Sequence, residues 1–158
     1  MISATIEAGA AVEKLQAWRE ALRTGLREQF AQGAQTLLEF VRAKISGEVL
    51  QTKSGALSAS LRAEASEAVD GFAARVWSDG TVPYARIQEY GGRIAIPEIA
   101  ARNAKALAFA YGGKMVFAKR VAPHIVVIPE RSYMRASLAE FAPLFVDDIR
   151  RLTTDVSR

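Results

Sequence analysis

The side chains that most often carry chemistry are few in this sequence, and their spacing does not form a catalytic or metal-binding set. The chain has no cysteine, and its single histidine, His124, has no second ligand at metal-site spacing. Ser54 and Ser132 have no general base placed beside them by the sequence. Residues 112–114, Gly-Gly-Lys, lie between two strand patterns, whereas a phosphate-binding loop opens a helix. We therefore expect no enzyme activity, no metal and no cofactor.

Positive charge is concentrated in the middle of the chain. The net charge is +4, but residues 86–135 carry nine Lys and Arg against three Glu, whereas residues 1–70 carry eight basic and nine acidic residues. Such a region can contact nucleic acid or an acidic protein surface. It can equally be a solvated sheet edge whose Lys and Arg prevent strand pairing, and the sequence contains no helix-turn-helix, zinc-finger or RNP-type motif that would decide the matter.

Length and hydropathy favour one domain over residues 1–158. Half of the residues are apolar, enough for one core. No apolar run approaches the roughly 20 residues of a membrane span, and the N-terminus lacks the pattern of a signal peptide. We expect no membrane partner, and the cytoplasm of the producing cell as the place where the chain folds.

Helical periodicity marks both ends of the chain. From about residue 12 to 46, apolar residues recur at helical spacing, which predicts one long helix or two helices kinked near Gly33. A helix of this length overhangs a small domain and indicates packing on another chain, unless it bends around the sheet. After Ser132, a possible cap, a second stripe predicts a helix with a kink or break at Pro143 and with Leu138 and Phe141 buried.

Alternating residues between the helices predict strands. A mobile polar loop over about residues 47–56 leads into a core over about residues 57–152. Asp70-Gly71 predicts a hairpin turn, and Gly112-Gly113 a second one that pairs Leu107 with Ala118. Shorter strands are expected at residues 93–96 and 124–128. The fold class is therefore α+β: a small, mostly antiparallel sheet of four to six strands packed with the long N-terminal helix and the C-terminal helix.

The segment 81–92 lies between the two groups of strands. Pro83 suits the first turn of a short helix, and Gly91-Gly92 suits a helix end that needs positive φ. Arg131 precedes the C-terminal helix, and its guanidinium is available to Glu89 in the same subunit or to an adjacent subunit. We favour the contact with Glu89, which would tie this segment to the last helix.

Four short motifs, in this order, resemble the tail-completion or virion-morphogenesis proteins of long-tailed bacteriophages, also described as minor tail or neck proteins. Residues 46–61 are similar to the family's loop with a Thr-Gly-x-Leu-x-x-Ser core, and residues 83–92 to its Tyr-Ala-x-x-x-Glu-aromatic-Gly box. Residues 105–109 with 116–119 form the third motif, and residues 128–138 resemble the ending Arg-Pro-Phe-hydrophobic-Arg-x-x-Leu. The chain departs from the family at Ser54, at Ser132 and Tyr133, and in the order Pro123-His124.

The resemblance implies a structural protein without catalysis or cofactor, located in the tail or neck of a virion and in the host cytoplasm during assembly. It implies a homo-oligomeric ring, with a hexamer as one candidate, that contacts other phage neck or tail proteins and encloses a channel for DNA without sequence-specific binding. The motif residues expected to act in assembly are Thr52, Gly55, Leu57, Tyr84, Glu89, Gly91, Gly92, Arg131, Tyr133 and Leu138. The alternative is a small basic nucleic-acid-binding protein.

Overall fold

The computed structural model describes residues 9–48, 55–102 and 105–157, and its elements confirm the α+β class. Four α-helices occupy Gly9–Ala43 (α1), Ala56–Ala59 (α2), Ala85–Tyr90 (α3) and Tyr133–Val156 (α4), and a π-helical turn at Lys44–Glu48 follows α1. The strands are Leu61–Ala68 (β1), Gly71–Ser78 (β2), Gly92–Ile96 (β3), Ile99–Ala100 (β4), Leu107–Tyr111 (β5), Lys114–Ala118 (β6), Arg120–Val121 (β7) and His124–Ile128 (β8).

The strands pair as four two-stranded antiparallel sheets within these ranges, where we had expected a single sheet. β1 pairs with β2, β3 with β8, β4 with β7 and β5 with β6. The contacts divide the chain into a helical unit, Met1–Ala85 with Ser132–Arg158, and an arm unit, Arg86–Arg131. The expectation of one domain over residues 1–158 stays a prediction.

In the helical unit, α1 runs unbroken through Gly33, where a kink was one of the two expectations. Gly33, Ala34, Leu37, Leu38 and Val41 are its buried residues. A Cβ at position 33 would lie 2.5 Å from Cε2 of Phe145 on α4, so a larger residue would have to displace that ring. The small residue lets the two helices approach closely.

The core of the helical unit combines side chains from seven segments of the chain. Its buried members come from α1, the π-helical turn, α2, β1, the segment before α3, the start of α3 and the start of α4: Leu38, Val41, Ile45, Leu57, Leu61, Val82, Ala85 and Tyr133. Apolar burial at roughly 25 cal/mol per Å² is what offsets the entropy lost in ordering these segments.

The β1–β2 hairpin turns one residue earlier than predicted. Leu61 pairs with Ser78 and Ala68 with Gly71, so the two turn residues are Val69 and Asp70. Contacts at the open end hold this register, since the Asp79 N–H donates to the Ser60 carbonyl at 2.9 Å and the Ser60 and Ser78 hydroxyls lie 2.9 Å apart. Tertiary anchoring therefore overrides the Asp-Gly turn preference.

The side chain of Glu67, near the tip of this hairpin, holds β1 to α1. It accepts hydrogen bonds from Arg23 Nε and from Arg27, whose Nη2 lies 2.7 Å from Glu67 Oε2. These hydrogen bonds, that of Arg27 first, hold the pKa of Glu67 below its ordinary value.

Helix α4 begins after Ser132 as predicted, but the Ser132 side chain makes no capping hydrogen bond to it. Pro143 does not break the helix. Both Pro143 and Ala139, whose carbonyl loses its helical partner, are exposed, so water can satisfy that carbonyl. None of the helices in the described ranges is both long enough and apolar enough to cross a membrane.

The buried face of α4 differs from the predicted stripe at one position. Leu138 is 53% exposed, whereas Ser137 is fully buried and Phe141 is buried as expected. Ser137 tolerates burial because its hydroxyl donates to the Tyr133 carbonyl at 2.6 Å. Ser137, whose hydroxyl is hydrogen-bonded within its own helix, therefore occupies the core position that hydropathy predicts for Leu138.

The close approach of α1 and α4 at Gly33 can be tested by filling it. Gly33→Val should lower the free energy of unfolding by about 1–3 kcal/mol, because the new methyl groups must displace Phe145. Ala31→Val, at an exposed position of the same helix, is the matched control and should cost only the difference in helix propensity, at most about 0.7 kcal/mol. Urea denaturation measures both, and equal losses would contradict the packing described.

Glu67 predicts an acid-dependent contribution to stability. A carboxyl whose pKa is lowered by folding stabilises the fold above its unfolded pKa, and this contribution is lost as the pH falls through its folded pKa. We expect Glu67→Gln to lower the melting temperature near neutral pH, and the difference from the parent to disappear in acid. Glu28→Gln, at an exposed position of α1, should follow the parent at every pH. A difference between parent and Glu67→Gln that persists in acid would be the contrary result.

Candidate functional site

The three sheets of the arm unit are nested along one long hairpin, which we call the β-arm (residues 92–128). β3 pairs with β8 from Gly92 opposite Ile128 to Ile96 opposite His124, and β4 continues the same register with Ile99 opposite Val121. Pro97 and Pro123 face each other in the gap. Neither has an N–H, so the ladder is interrupted between the two sheets.

The outer part of the β-arm is the β5–β6 hairpin, and its register is the one predicted. Leu107 pairs with Ala118 and Tyr111 with Lys114. Gly112 and Gly113 have φ of 57° and 77°, the positive values that a two-residue hairpin turn requires. Just beyond β4, the Ala101 N–H donates to the Lys119 carbonyl at 3.1 Å.

Almost nothing in the arm unit is buried. Among its described residues Glu89, at 3% exposure, is the one buried residue. In the β5–β6 hairpin one face is half-buried, and the opposite face, made of Ala108, Ala110, Met115 and Phe117, is exposed. Phe117 is 70% and Met115 65% exposed, and on β8 Val127 is 67% exposed.

These exposed faces are apolar where water would favour polar side chains. An antiparallel sheet with one solvated face normally alternates apolar and polar residues, whereas strands that are apolar on both faces are covered on both. A two-stranded hairpin is also marginally stable by itself in water. The β-arm therefore exposes apolar side chains that an antiparallel sheet in water normally replaces with polar ones.

A second apolar surface lies at the start of α1. Every residue from Gly9 to Ala21 is exposed, and we call this stretch the α1 overhang. Val12, Leu15 and Trp18 form its apolar stripe, which continues the helical spacing of the residues that pack farther along α1. The first part of the long helix thus presents an exposed apolar stripe, and its packing on another chain stays a prediction.

A third surface is an apolar groove of about 270 Å³ in the helical unit. Leu37 and Val41 of α1, Ala74 and Val76 of β2, and Met134 and Leu138 of α4 line it, together with Arg75 and Arg135. The predicted assembly residue Leu138 therefore lies at an accessible apolar surface. Its exposure corrects the expectation that it anchors α4 in the core.

The second motif (residues 83–92) and the fourth motif (residues 128–138) are in contact through their backbones. Gly91 has φ of 66°, and a Cβ there would lie 2.6 Å from the Glu130 nitrogen and 2.9 Å from the Ile128 carbonyl oxygen. The Arg131 N–H donates to the Gln88 carbonyl at 2.9 Å. These contacts close the base of the β-arm.

The expected ion pair between Arg131 and Glu89 is not formed among the residues described. The Arg131 side chain is exposed and belongs to none of the ion pairs in these ranges. Arg131 is instead linked to α3 through its backbone, because its N–H donates to the Gln88 carbonyl. Sequence spacing shows that two residues can meet, but it does not show which of their atoms do.

The other predicted assembly residues occupy different environments. Leu57 and Tyr133 meet in the core of the helical unit, where the Tyr133 hydroxyl donates to the Ala85 carbonyl at 3.2 Å. Gly55 has φ of 69° and precedes α2. Tyr84 and Gly92 are exposed. Thr52 and most of the predicted mobile loop lie outside the described residues.

Sequence reasoning missed several polar residues that hold the helical unit together. Lys44 is buried, and its Nζ lies 2.8 Å from Glu140 Oε1. The Thr81 hydroxyl and backbone N–H both donate to Asp79, and these bonds, with the charge of Arg62, hold the pKa of Asp79 below its ordinary value. Of these contacts, only the one between Asp79 and Thr81 could have been found from the sequence, because an Asp side chain often bonds to the backbone two residues farther on.

The described residues contain no cluster of three or more His, Asp or Glu able to hold a metal ion. Comparison of the chain with models of protein families, with curated proteins and with solved structures gave no match. The surfaces of the chain itself are therefore the basis for a functional proposal.

Gly91→Ala tests the closure at the base of the β-arm. Alanine at positive φ costs about 1–2 kcal/mol, and at Gly91 its Cβ would also collide with the backbone of Glu130. Gly80→Ala is the matched control, since Gly80 has φ of 85° and nothing within 4 Å of its added Cβ. We expect hydrogen exchange of the β3–β8 amides to accelerate in Gly91→Ala and to stay unchanged in Gly80→Ala. Unaltered exchange in both variants would show that this contact does not hold the arm.

Proposed function

We propose that this protein is a structural subunit of a bacteriophage virion that assembles with copies of itself into a ring and acts in tail completion or head-tail joining. The observation that carries the proposal is the β-arm, whose large apolar side chains are exposed to water. The order of the four motifs in residues 46–138 supports the phage assignment. The role requires no catalytic group and no cofactor.

The exposed side chains can supply a useful part of an interface. Full burial of a large apolar side chain contributes about 1.5–3 kcal/mol, and Met115, Phe117, Ile125 and Val127 are each more than half exposed. Covering these four would contribute roughly 4–8 kcal/mol. Association costs an estimated 4–15 kcal/mol, so burial of these four side chains alone lies near balance.

A second surface on each subunit would make assembly favourable and would also explain a ring. A subunit with two different contact surfaces binds one neighbour through each, and such head-to-tail contacts close when the rotation between neighbours allows. The β-arm and the α1 overhang are two such surfaces. We propose that copies of the chain and other neck or tail proteins cover them, in the virion and in the host cytoplasm during assembly.

The test of self-assembly is the mass in solution, measured by light scattering over a range of protein and salt concentrations. We expect a defined multiple of the 17.2 kDa subunit, and rings with a central channel in electron micrographs. The double variant Met115→Ser with Phe117→Ser should shift the mass toward that of the monomer. Val69→Ser, at an exposed hairpin tip of the helical unit, should keep the parent's mass.

Salt separates this function from the nucleic-acid-binding alternative. Contacts between apolar faces should persist as salt rises, whereas nucleic-acid binding weakens steeply because it depends on counterion release. A parent protein that stays monomeric at every concentration and forms no ring would overturn the proposal.

A further inference from the structure

The strand β8 has one paired edge and one open edge. It pairs with β3 in a two-stranded sheet, and no other strand of the described ranges pairs with it. Ile125, Val126 and Val127 are 56%, 39% and 67% exposed, so side chains on both faces of the strand meet water. The backbone N–H and C=O groups on the open edge are a template for pairing with a further strand.

The sequence of β8 lacks the features that normally protect such an edge. Edge strands are blunted by Lys and other charged side chains, by proline or by a bulge. The strand His124–Ile128 contains no Lys, Arg, Asp, Glu or proline, and its ladder with β3 is continuous, without a bulge. Four of its five residues are β-branched and favour an extended strand. The open edge of β8 is therefore suited to accept another strand.

Prolines set the limits of this edge. Pro123 precedes β8 and Pro129 follows it, and a proline has no N–H to donate to a neighbouring strand. When the added strand is β8 of a second copy, both strands carry the same limits. The antiparallel register that pairs all the residues 124–128 then places Val126 opposite Val126 of the second copy.

Charge favours the pairing of two copies through β8 over their pairing through β3. Along β8 the one titratable residue is His124, and this register places it opposite Ile128 of the second copy. Pairing through β3 would place the Arg93 side chains of two copies on adjacent strands, where like charges repel. Pairing through β8 separates them by three strand spacings, roughly 14 Å, which exceeds the Debye length of about 8 Å at physiological salt.

We propose that β8 pairs with β8 of a second copy about a two-fold axis at Val126. The two β3–β8 sheets then form one antiparallel sheet of four strands, with β3 at both outer edges. A two-stranded hairpin is marginally stable in water, whereas three or more strands with an apolar face can be stable. Arg93 on each outer β3 opposes further strand addition, so the sheet ends at four strands.

This contact goes beyond the ring proposed above. A two-fold contact uses the same surface on both copies and closes at two, so it joins subunits in pairs and does not by itself build a ring. It uses the edge of β8, whereas the ring contacts use the apolar faces of the β-arm and the α1 overhang. A pair of five-residue strands is small beside the roughly 1,200 Å² of a stable interface, so we expect the pairs to exchange with free subunits.

Cysteine trapping tests the pairing, because the chain has no cysteine and a single introduced thiol can form a disulfide only with another copy. Directly opposite side chains have Cβ atoms about 4.5–5.5 Å apart, and diagonal neighbours lie about 7–8 Å apart. Under mild oxidation we expect Val126→Cys to form dimers at least about tenfold faster than Val127→Cys, which lies diagonal to its own copy. A mixture of Ile125→Cys and Val127→Cys, which the register places opposite each other, should form dimers as fast as Val126→Cys.

The control is Val69→Cys at the exposed hairpin tip of the helical unit, which measures disulfide formation by chance collision. Equal rates for Val126→Cys and Val69→Cys would overturn the proposal. Fast dimer formation by Val127→Cys alone would show a different register and overturn it as well.

Hydrogen exchange of the parent chain needs no substitution. The β8 amides should exchange more slowly as the protein concentration rises, because pairing protects the open edge. Exchange that does not depend on concentration would be the contrary result. Protection of β8 only on addition of a different protein would assign the edge to that protein and overturn the pairing of copies.

One variant separates this pair from the proposed ring. Met115→Ser with Phe117→Ser, added to Val126→Cys, should form the disulfide as fast as Val126→Cys alone, and a slower rate would place the contact on the β5–β6 face and overturn the proposal. Rings without the disulfide at Val126 would leave the proposed function standing and remove the two-fold pair. Disulfide-linked pairs without any ring would do the reverse.

Discussion

The side chain of Tyr133 packs where α1, α2, β1, the start of α3 and the start of α4 converge, and the order of the helical unit depends on that junction. It is 1% exposed, and its hydroxyl is satisfied by the Ala85 carbonyl. Truncating a buried aromatic residue typically costs about 3–5 kcal/mol, a large part of a small domain's stability. One residue therefore fixes where the chain leaves the helical unit, after Ala85, and where it returns, at Ser132.

The β-arm has no comparable core, and its order comes from its base and its turn. At the base, the Arg131 N–H bonds to Gln88, and Gly91 packs against the backbone of Glu130. At the far end, Gly112 and Gly113 fix the register of β5 with β6. Between these points the ladder is interrupted by the facing prolines. Such an arm is held at both ends, and its two-stranded sheets are marginally stable by themselves in water.

Much of the fold could be predicted from sequence because local patterns agree with it. The two long helices, the α+β class and the Leu107–Ala118 register follow from periodicity and from a Gly-Gly turn. The predicted β1–β2 turn was wrong because the hydrogen bond between Asp79 and Ser60 at the open end of the hairpin sets the register. The predicted burial of Leu138 was wrong because Ser137, whose hydroxyl bonds within its own helix, takes the core position. Alternation placed apolar residues on both faces of the β5–β6 hairpin, and the structure shows that one of these faces is exposed.

The same reasoning explains why the surfaces proposed for assembly were only partly visible in the motifs. Leu57 and Tyr133, which the motifs single out, are buried in the core of the helical unit. Met115 and Phe117, which are the most exposed large residues of β6, read in sequence as ordinary strand residues. Exposed apolar side chains can be recognised only after the fold shows which faces the core leaves uncovered.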